Sequence, residues 1–477
     1  MKALLALLFC TCLTACGAPF ALRQGQGDTL QGDTFEAQQS TCHPEQRAQL
    51  CHPERSAERG VEGRRTTSPI KHVVFVIQEN RSFNNLFMGY PGATTATYGY
   101  DKQGNTVKLT ARRLWSSWDP GHGSHDFFVA CDGQGKVRGT KCKMDGWSDQ
   151  QNPPYAPKDL AYAYVPQDEI VPYWTIAKQY VLGDETFASN LDGSFVAHQY
   201  TVAAYASHAV GFPNGAWGCE GGKGDTLPTL TNERKKGPRI EACFDNPTIA
   251  SEADAAGITW RSYAGTPDGD GGIWSAYQAD RPIYGGADWS ADVISPPAQF
   301  LTDVASGKLA AITWITPTWE TSDHPSIDAK HGPAWIASVV DAIGESKFWK
   351  STAIFVIWDD WGGWFDPVKP IYKDYDGLGF RVPLLIVSPY AKRGVVTHEP
   401  YETASVLRFI EDDFGLAPLA KSDARANDPA ADPAAFDFHQ RPRAFKKIAG
   451  AKSTPYWLEL ERQSSGHRMP DDRADGD

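Results

Sequence analysis

Five short apolar runs constrain the fold of this chain more than any other feature. They are Val73-Val74-Phe75-Val76-Ile77, Ile258-Thr259-Trp260, Ala311-Ile312-Thr313-Trp314-Ile315, Ala353-Ile354-Phe355-Val356-Ile357-Trp358 and Leu384-Leu385-Ile386-Val387. Each is continuous rather than alternating and rich in β-branched or aromatic residues, the pattern of a strand buried on both faces. Between the third and fourth runs, Ile336, Val339, Val340 and Ile343 share one face of a helix. After the last, Val406, Phe409 and Ile410 do the same, with a stop near Gly415. Strands alternating with helices demand crossovers and a mainly parallel sheet covered on both faces. The expected fold class is therefore α/β, a three-layer α/β/α sandwich. Segments 99–160 and 211–300, rich in Gly, Trp, Tyr and Asp but poor in periodicity, are expected as long loop insertions over the active face.

Composition narrows the partners. The chain has 477 residues, 41% of them apolar, with 16 Trp, 18 Tyr and 22 Phe, which excludes disorder throughout. A net charge of −12 argues against nucleic acid as a partner, since a phosphate-backbone binder carries a basic face. Residues 1–15 have the layout of a signal peptide: Lys2, then a short apolar stretch. Leu13-Thr14-Ala15-Cys16-Gly17 resembles a bacterial lipobox. The expectation is export, as a periplasmic or cell-envelope lipoprotein held on the outer surface of a membrane, or as a secreted protein after ordinary cleavage. Residues 16–68 are polar, with a short repeat around Cys42-His43-Pro44-Glu45 and Cys51-His52-Pro53-Glu54, and are expected as a disordered tether. The catalytic domain is expected over 69–450, and a polar tail over 451–477. Six Cys follow the leader, an even number for an oxidising compartment. Cys131–Cys142 and Cys219–Cys243 are the expected disulfides, with Cys42–Cys51 the weakest candidate. There is no CxxC pair to suggest a thiolate zinc site.

In an open α/β sheet, ligands gather at the carboxyl ends of the strands. After the first run come Glu79, Asn80 and Arg81; after the third, Ser322, Asp323 and His324; after the fourth, Asp359 and Asp360. Three strand ends thus deliver carboxylates, an amide and an imidazole to one edge. Such hard oxygen ligands suit a divalent cation, and paired aspartates need one to offset their repulsion. Asp192-Gly193-Ser194 precedes a possible helix over 195–205, placing a hydroxyl at a helix N-terminus, where unpaired N–H groups attract an anion. Read locally, Ser194 is a helix cap sooner than a nucleophile.

Glu79-Asn80-Arg81-Ser82-Phe83, Asp119-Pro120-Gly121-His122, Lys143-Met144-Asp145-Gly146-Trp147, Ser322-Asp323-His324-Pro325, Asp359-Asp360-Trp361-Gly362-Gly363 and Arg381-Val382-Pro383 with Ser388-Pro389-Tyr390 together resemble the bacterial phosphoesterase family of phospholipases C and an acid phosphatase, over almost all of residues 70–416. The resemblance implies an alkaline-phosphatase-like fold and a phosphoric ester hydrolase acting on a small phosphate ester or a phospholipid. It implies Ser194 as nucleophile, passing through a phosphoseryl intermediate. His122 and His324 would be active-site histidines, and Asn80, His198 and Asp323 substrate contacts. Glu79, Asn80, Asp359 and Asp360 would hold one divalent ion: calcium, magnesium or zinc. His331 is the candidate for a further histidine. The chain departs from the family at Phe83-Asn84, where many members have Phe-Asp, and at Asp366-Pro367-Val368, where many have Asp-His-Val.

Two other readings compete. Cys51-His52-Pro53-Glu54-Arg55 matches the short motif of sulfatases, but it lies in the tether, ahead of the first strand. A non-catalytic surface lipoprotein binding phosphorylated ligands through Trp115, Trp118, Trp147, Trp217, Trp274 or Trp289 is the other. The set Glu79, Asn80, Ser194, Asp359 and Asp360 favours turnover.

Overall fold

A computed structural model describes residues 68–213, 216–266, 274–325 and 329–464. The leader, nearly all of the tether and the Cys42–Cys51 pair lie outside them. The sheet is built from β1 (His72–Gln78), β2 (Val181–Gly183), β3 (Trp260–Tyr263), β4 (Val293–Ile294), β5 (Ile312–Ile315), β6 (Thr352–Trp358), β7 (Leu384–Val387) and β8 (Val395–Thr397). Its order is β4-β3-β5-β1-β6-β7-β2-β8. The two strands with the longest apolar runs, β1 and β6, lie side by side in its centre, where both faces are covered.

Strand β7 alone runs against its neighbours β6 and β2. Residues 359–383, which join β6 to β7, contain no helix to carry the chain back to the starting edge. A parallel pair needs such a crossover, so the chain returns directly and antiparallel. The expected mainly parallel sheet holds, with this strand as the exception. The edge strands β4 and β8 and the next-to-edge strand β2 escape a periodicity reading because they span only two or three residues.

Alternation along β6 defines the layers. Phe355 packs against Phe409, 4.8 Å between ring centres, while Trp358 points the other way onto Tyr173 at 5.0 Å. One face therefore carries α1 (Val171–Gln179), α4 (Gln299–Ala305), α5 (Gly332–Gly344) and α7 (Thr454–Ser464). The other carries α2 (Ser194–Tyr200), α3 (Ile249–Ala256) and α6 (Ala404–Phe414). In α5 the stripe Ile336, Val339, Val340 and Ile343 is fully buried, as its spacing predicts. Helix α6 ends on Gly415 in the left-handed region, its N–H donating to the Glu411 carbonyl.

The expected polar tail from residue 451 needs correcting. Helix α7 docks there, with Trp457 buried edge-on against Trp335 and Glu461 accepting from the Ala298 amide. The 211–300 segment is likewise more than an insertion, because it supplies β3, β4 and α3. Both expected disulfides among the described residues form, Cys131–Cys142 and Cys219–Cys243. No helix among the described residues is long and apolar enough to cross a membrane.

Candidate active site

The parallel strands open at one edge, and the residues following β1 and β6 meet there. Asn80 leaves β1 with φ of 56°, a left-handed backbone that is uncommon for a non-glycine residue and often marks a functional site. Its amide donates to Asp359 Oδ1 at 2.9 Å, tying the two strand ends together. Gly362 lies against the same turn. A Cβ there would stand 1.9 Å from the Asn80 carbonyl oxygen, and Gly362 itself has φ of 58°. The double glycine after the paired aspartates is thus required by close approach as well as by conformation.

Ser194 opens α2, following Gly193 as the cap. Gly193 is extended rather than left-handed. Its need is space, since a Cβ would lie 3.3 Å from the His122 ring. Asp192 organises the turn from below. Its buried carboxylate accepts the amides of Gly193 at 2.8 Å, Gly211 at 2.9 Å and Ser124 at 3.0 Å. The Ser194 hydroxyl donates to Asn80 Oδ1 at 3.1 Å and stands 3.4 Å from Glu79 Oε2. The tandem aspartates and Ser194, 165 residues apart in the chain, therefore share neighbours.

Asn80 also donates through Nδ2 to His122 Nε2 at 3.0 Å, and His122 Nδ1 donates to the Pro120 carbonyl at 2.9 Å. These bonds together assign His122 as a neutral ring with its proton on Nδ1. His324 lies beside it, ring centres 6.3 Å apart, flanked by Trp319 at 4.5 Å and Trp274 at 5.9 Å. Its Nε2 is 3.6 Å from Asp119 Oδ2. Burial, the largest cause, holds its pKa well below the ordinary imidazole value, with the Arg81 guanidinium acting in the same direction.

His198, one turn after Ser194, is expected at the substrate. Its Nε2 instead sits 2.9 Å from Glu79 Oε1 and 3.9 Å from Asp359 Oδ2. Ligand atoms of Glu79, His198 and Asp359 all lie within 4.8 Å of one another, and all three residues are buried. Asp359 Oδ2 and Asp360 Oδ2 have no hydrogen-bond donor among the described residues. Burial, followed by Asp359, pushes both Glu79 and Asp360 well above the carboxylate range. Burial takes His198 down to about 4, a neutral imidazole fit for coordination. Three packed carboxylates, a neutral imidazole and open oxygen lone pairs fit a divalent cation.

The remaining expectations separate. Asp323 is fully buried and points away, accepting from Tyr173 Oη at 2.7 Å and Trp358 Nε1 at 2.9 Å. It braces the His324 loop against β6 and α1 rather than reaching a substrate. His331 precedes α5 and packs near Tyr456 and Trp457 of α7. The departures from the family motifs are also structural. Asp366 is buried and paired twice with Arg381, at 2.8 and 3.1 Å, and accepts the Asn84 amide at 3.1 Å. The Asn84 side chain exchanges both its hydrogen bonds with the Ala96 backbone.

Sequence reasoning did not anticipate Arg81 as a strut. Its Nε donates to the Asp323 carbonyl at 2.8 Å and its Nη2 to the Leu114 carbonyl, joining the β1 end to two distant loops. Arg81 lies in the Glu79–Phe83 motif, but only the tertiary contacts reveal its partners.

The model of the Phosphoesterase family matches residues 70–417. The chain belongs to that family. Among curated relatives, the non-hemolytic phospholipase C of Pseudomonas aeruginosa is 24% identical over 404 residues, covering 73% of this chain and 54% of the relative. Phospholipase C B of Mycobacterium tuberculosis is 24% identical over 413 residues, covering 73% and 74%. The chain thus spans about half the length of the Pseudomonas relative and three quarters of the mycobacterial one. Among solved structures, a protein in the alkaline phosphatase superfamily from Vibrio parahaemolyticus is similar at TM-score 0.36 and 11% identity, covering 76% of this chain and 71% of that chain. The family is one of phosphoric ester hydrolases.

Proposed function

We propose that this protein hydrolyses phosphate esters with Ser194 as the nucleophile, phospholipids being the substrate class that the relatives' names suggest. The observation that carries this reading is the Ser194 hydroxyl within 3.4 Å of both Glu79 and Asn80, which follow β1 beside the paired aspartates. Glu79, Asp359, Asp360 and His198 would hold a divalent cation, with Asn80 next to it. Such a cation, when bound, favours the alkoxide of a nearby alcohol and offsets charge on phosphoryl oxygens.

The chain's own residues supply the rest. Asn80 Oδ1 holds the Ser194 proton and so orients an oxygen lone pair outward. The Ser194 Oγ–P bond forms as the P–O bond to the alcohol breaks on the opposite side, and the hydroxyl proton passes to the Glu79 carboxylate 3.4 Å away. The departing alkoxide takes a proton from an imidazole. Both His122 nitrogens are already engaged, whereas Asp119 Oδ2 faces His324 Nε2 at 3.6 Å, so His324 is assigned as the acid, protonated once the negative charge of a bound phosphate ester offsets the burial that otherwise keeps its ring neutral. Water then attacks the phosphoserine, giving its proton to His324 and releasing phosphate or a phosphorylated headgroup as Glu79 returns the proton to Ser194.

The test is hydrolysis of p-nitrophenyl phosphate, phosphorylcholine and phosphatidylcholine, with p-nitrophenyl sulfate as comparator, before and after chelation. Ser194→Ala should abolish phosphate release while the folded spectrum persists, and chelator should silence the native protein reversibly. Full turnover by pure Ser194→Ala protein would overturn the assignment, and preference for the sulfate would replace the substrate class.

A further inference from the structure

Residues 111–113 and 115–118 line an open groove of about 280 Å³ that includes Arg112, Arg113, Trp115 and Trp118. Two cations flank the Trp115 indole: Arg113 Cζ lies 4.8 Å and Lys330 Nζ 5.3 Å from its ring centre. None of Arg112, Arg113 and Lys330 forms an ion pair among the described residues. The nearby acid Glu169 is turned onto the Leu114 amide at 2.9 Å. Trp118 packs with Ala156 on a small cluster of Leu160, Ala163 and Trp364. The preceding residue, Tyr155, is 97% exposed, a large apolar ring standing in water. A chain of net charge −12 thus gathers three cations with no ion-pair partner among the described residues, the half-buried Trp115 and Trp118 and the exposed Tyr155 in one region.

We propose that this strip docks the protein on a lipid bilayer surface that carries anionic headgroups. The cations would face lipid phosphates, and Trp115 and Tyr155 would sit at headgroup level, where amphipathic rings are favoured. Position supports the choice. The Leu114 carbonyl accepts from Arg81, the strut beside Asn80, and Asp119 at the end of the same stretch lies 3.6 Å from His324. Docking through this strip would bring the catalytic edge to the surface that displays phosphate esters. The proposal deepens the phosphoesterase reading and rests on it for its purpose, but binding can be measured without turnover.

The experiment is vesicle sedimentation with the full chain carrying Cys16→Ser and Ser194→Ala, which removes both leader acylation and hydrolysis. Phosphatidylcholine vesicles with and without one third phosphatidylglycerol are compared at low and high salt. Binding is expected only to the anionic vesicles and should weaken with salt. The triple variant R112A/R113A/K330A should partition about 100-fold less, at roughly five-fold per cation. Trp115→Ala and Tyr155→Ala should each weaken binding while the charge is kept. In the Ser194-intact protein, the same surface variants should leave p-nitrophenyl phosphate hydrolysis unchanged, which also shows that they fold. Equal binding to neutral vesicles, or undiminished binding by the triple variant, would overturn the proposal. Complete displacement by millimolar inorganic phosphate would assign the strip to a soluble anion and overturn it as well. Vesicle binding that persists while no phosphate ester is hydrolysed would instead count against the catalytic reading alone.

Discussion

At the residue scale, Asn80 holds more of the site together than any other side chain. Its amide fixes Asp359, its Oδ1 holds the Ser194 proton, and its Nδ2 sets the His122 tautomer. Asn80→Ala keeps the backbone bond to Asp359 but removes the other two. The expected loss is about 100- to 1,000-fold in kcat, the scale on which a single oriented polar group acts in acyl-transfer sites. Measured kcat on p-nitrophenyl phosphate checks it, with KM expected to move far less. The residue types at Glu79, Asn80, Asp359 and Asp360 were legible from their places after apolar runs. The place of His198 against Glu79 was not, because one helical turn after Ser194 is compatible with facing either a substrate or a cation. Asp323 could not be assigned either: its neighbour His324 reaches the site, yet successive residues in a loop point in different directions, and only Tyr173 and Trp358 show where the carboxylate goes.

At the scale of elements, the site depends on how β7 enters the sheet. Because β7 is antiparallel, its leading residues Arg381-Val382-Pro383 lie at the same edge as the ends of β1 and β6. Arg381 there makes a fully buried double pair with Asp366, and also donates to the Asp184 and Thr94 carbonyls. It clamps the segment after the double glycine to the start of β7. Arg381→Ala would leave the Asp366 carboxylate buried and unpaired, an expected destabilisation of about 3–5 kcal/mol, read by denaturant unfolding. Replacing both partners with apolar residues should restore much of it, since the loss comes chiefly from the stranded charge. The motif residues themselves were visible in the sequence, but their pairing was not, because fifteen positions of irregular loop separate them.

At the scale of the whole molecule, the C-terminal helix closes one face of the sandwich. Glu461 of α7 is buried against the Ala298 amide, and burial pushes its carboxyl up to about 8 from the ordinary 4.5. Between those values the folded protein keeps a proton that the unfolded chain releases, so this group's contribution to stability declines as pH rises through that window. The slope from one such group is at most about 1.4 kcal/mol per pH unit. Glu461→Gln removes the titration. Its melting temperature relative to the native protein should therefore climb steadily between pH 5 and pH 8. A constant offset across that range would show that Glu461 titrates normally.

The sequence alone determined the class of fold, because continuous apolar runs of strand length can be buried only between two helical layers. It also determined which residue types stand at the strand ends, and from their ordered motifs the family. Two disulfide pairs were readable from local spacing, since short loops leave few alternatives. The tertiary structure alone decided the rest: the reversed strand, the docking of α7 onto a face that a polar composition did not advertise, and the partners of Arg81, Asp366 and His198. Each of these turns on contacts between segments far apart in the chain, and neither periodicity nor local propensity carries information about such contacts until the sheet order brings the segments together.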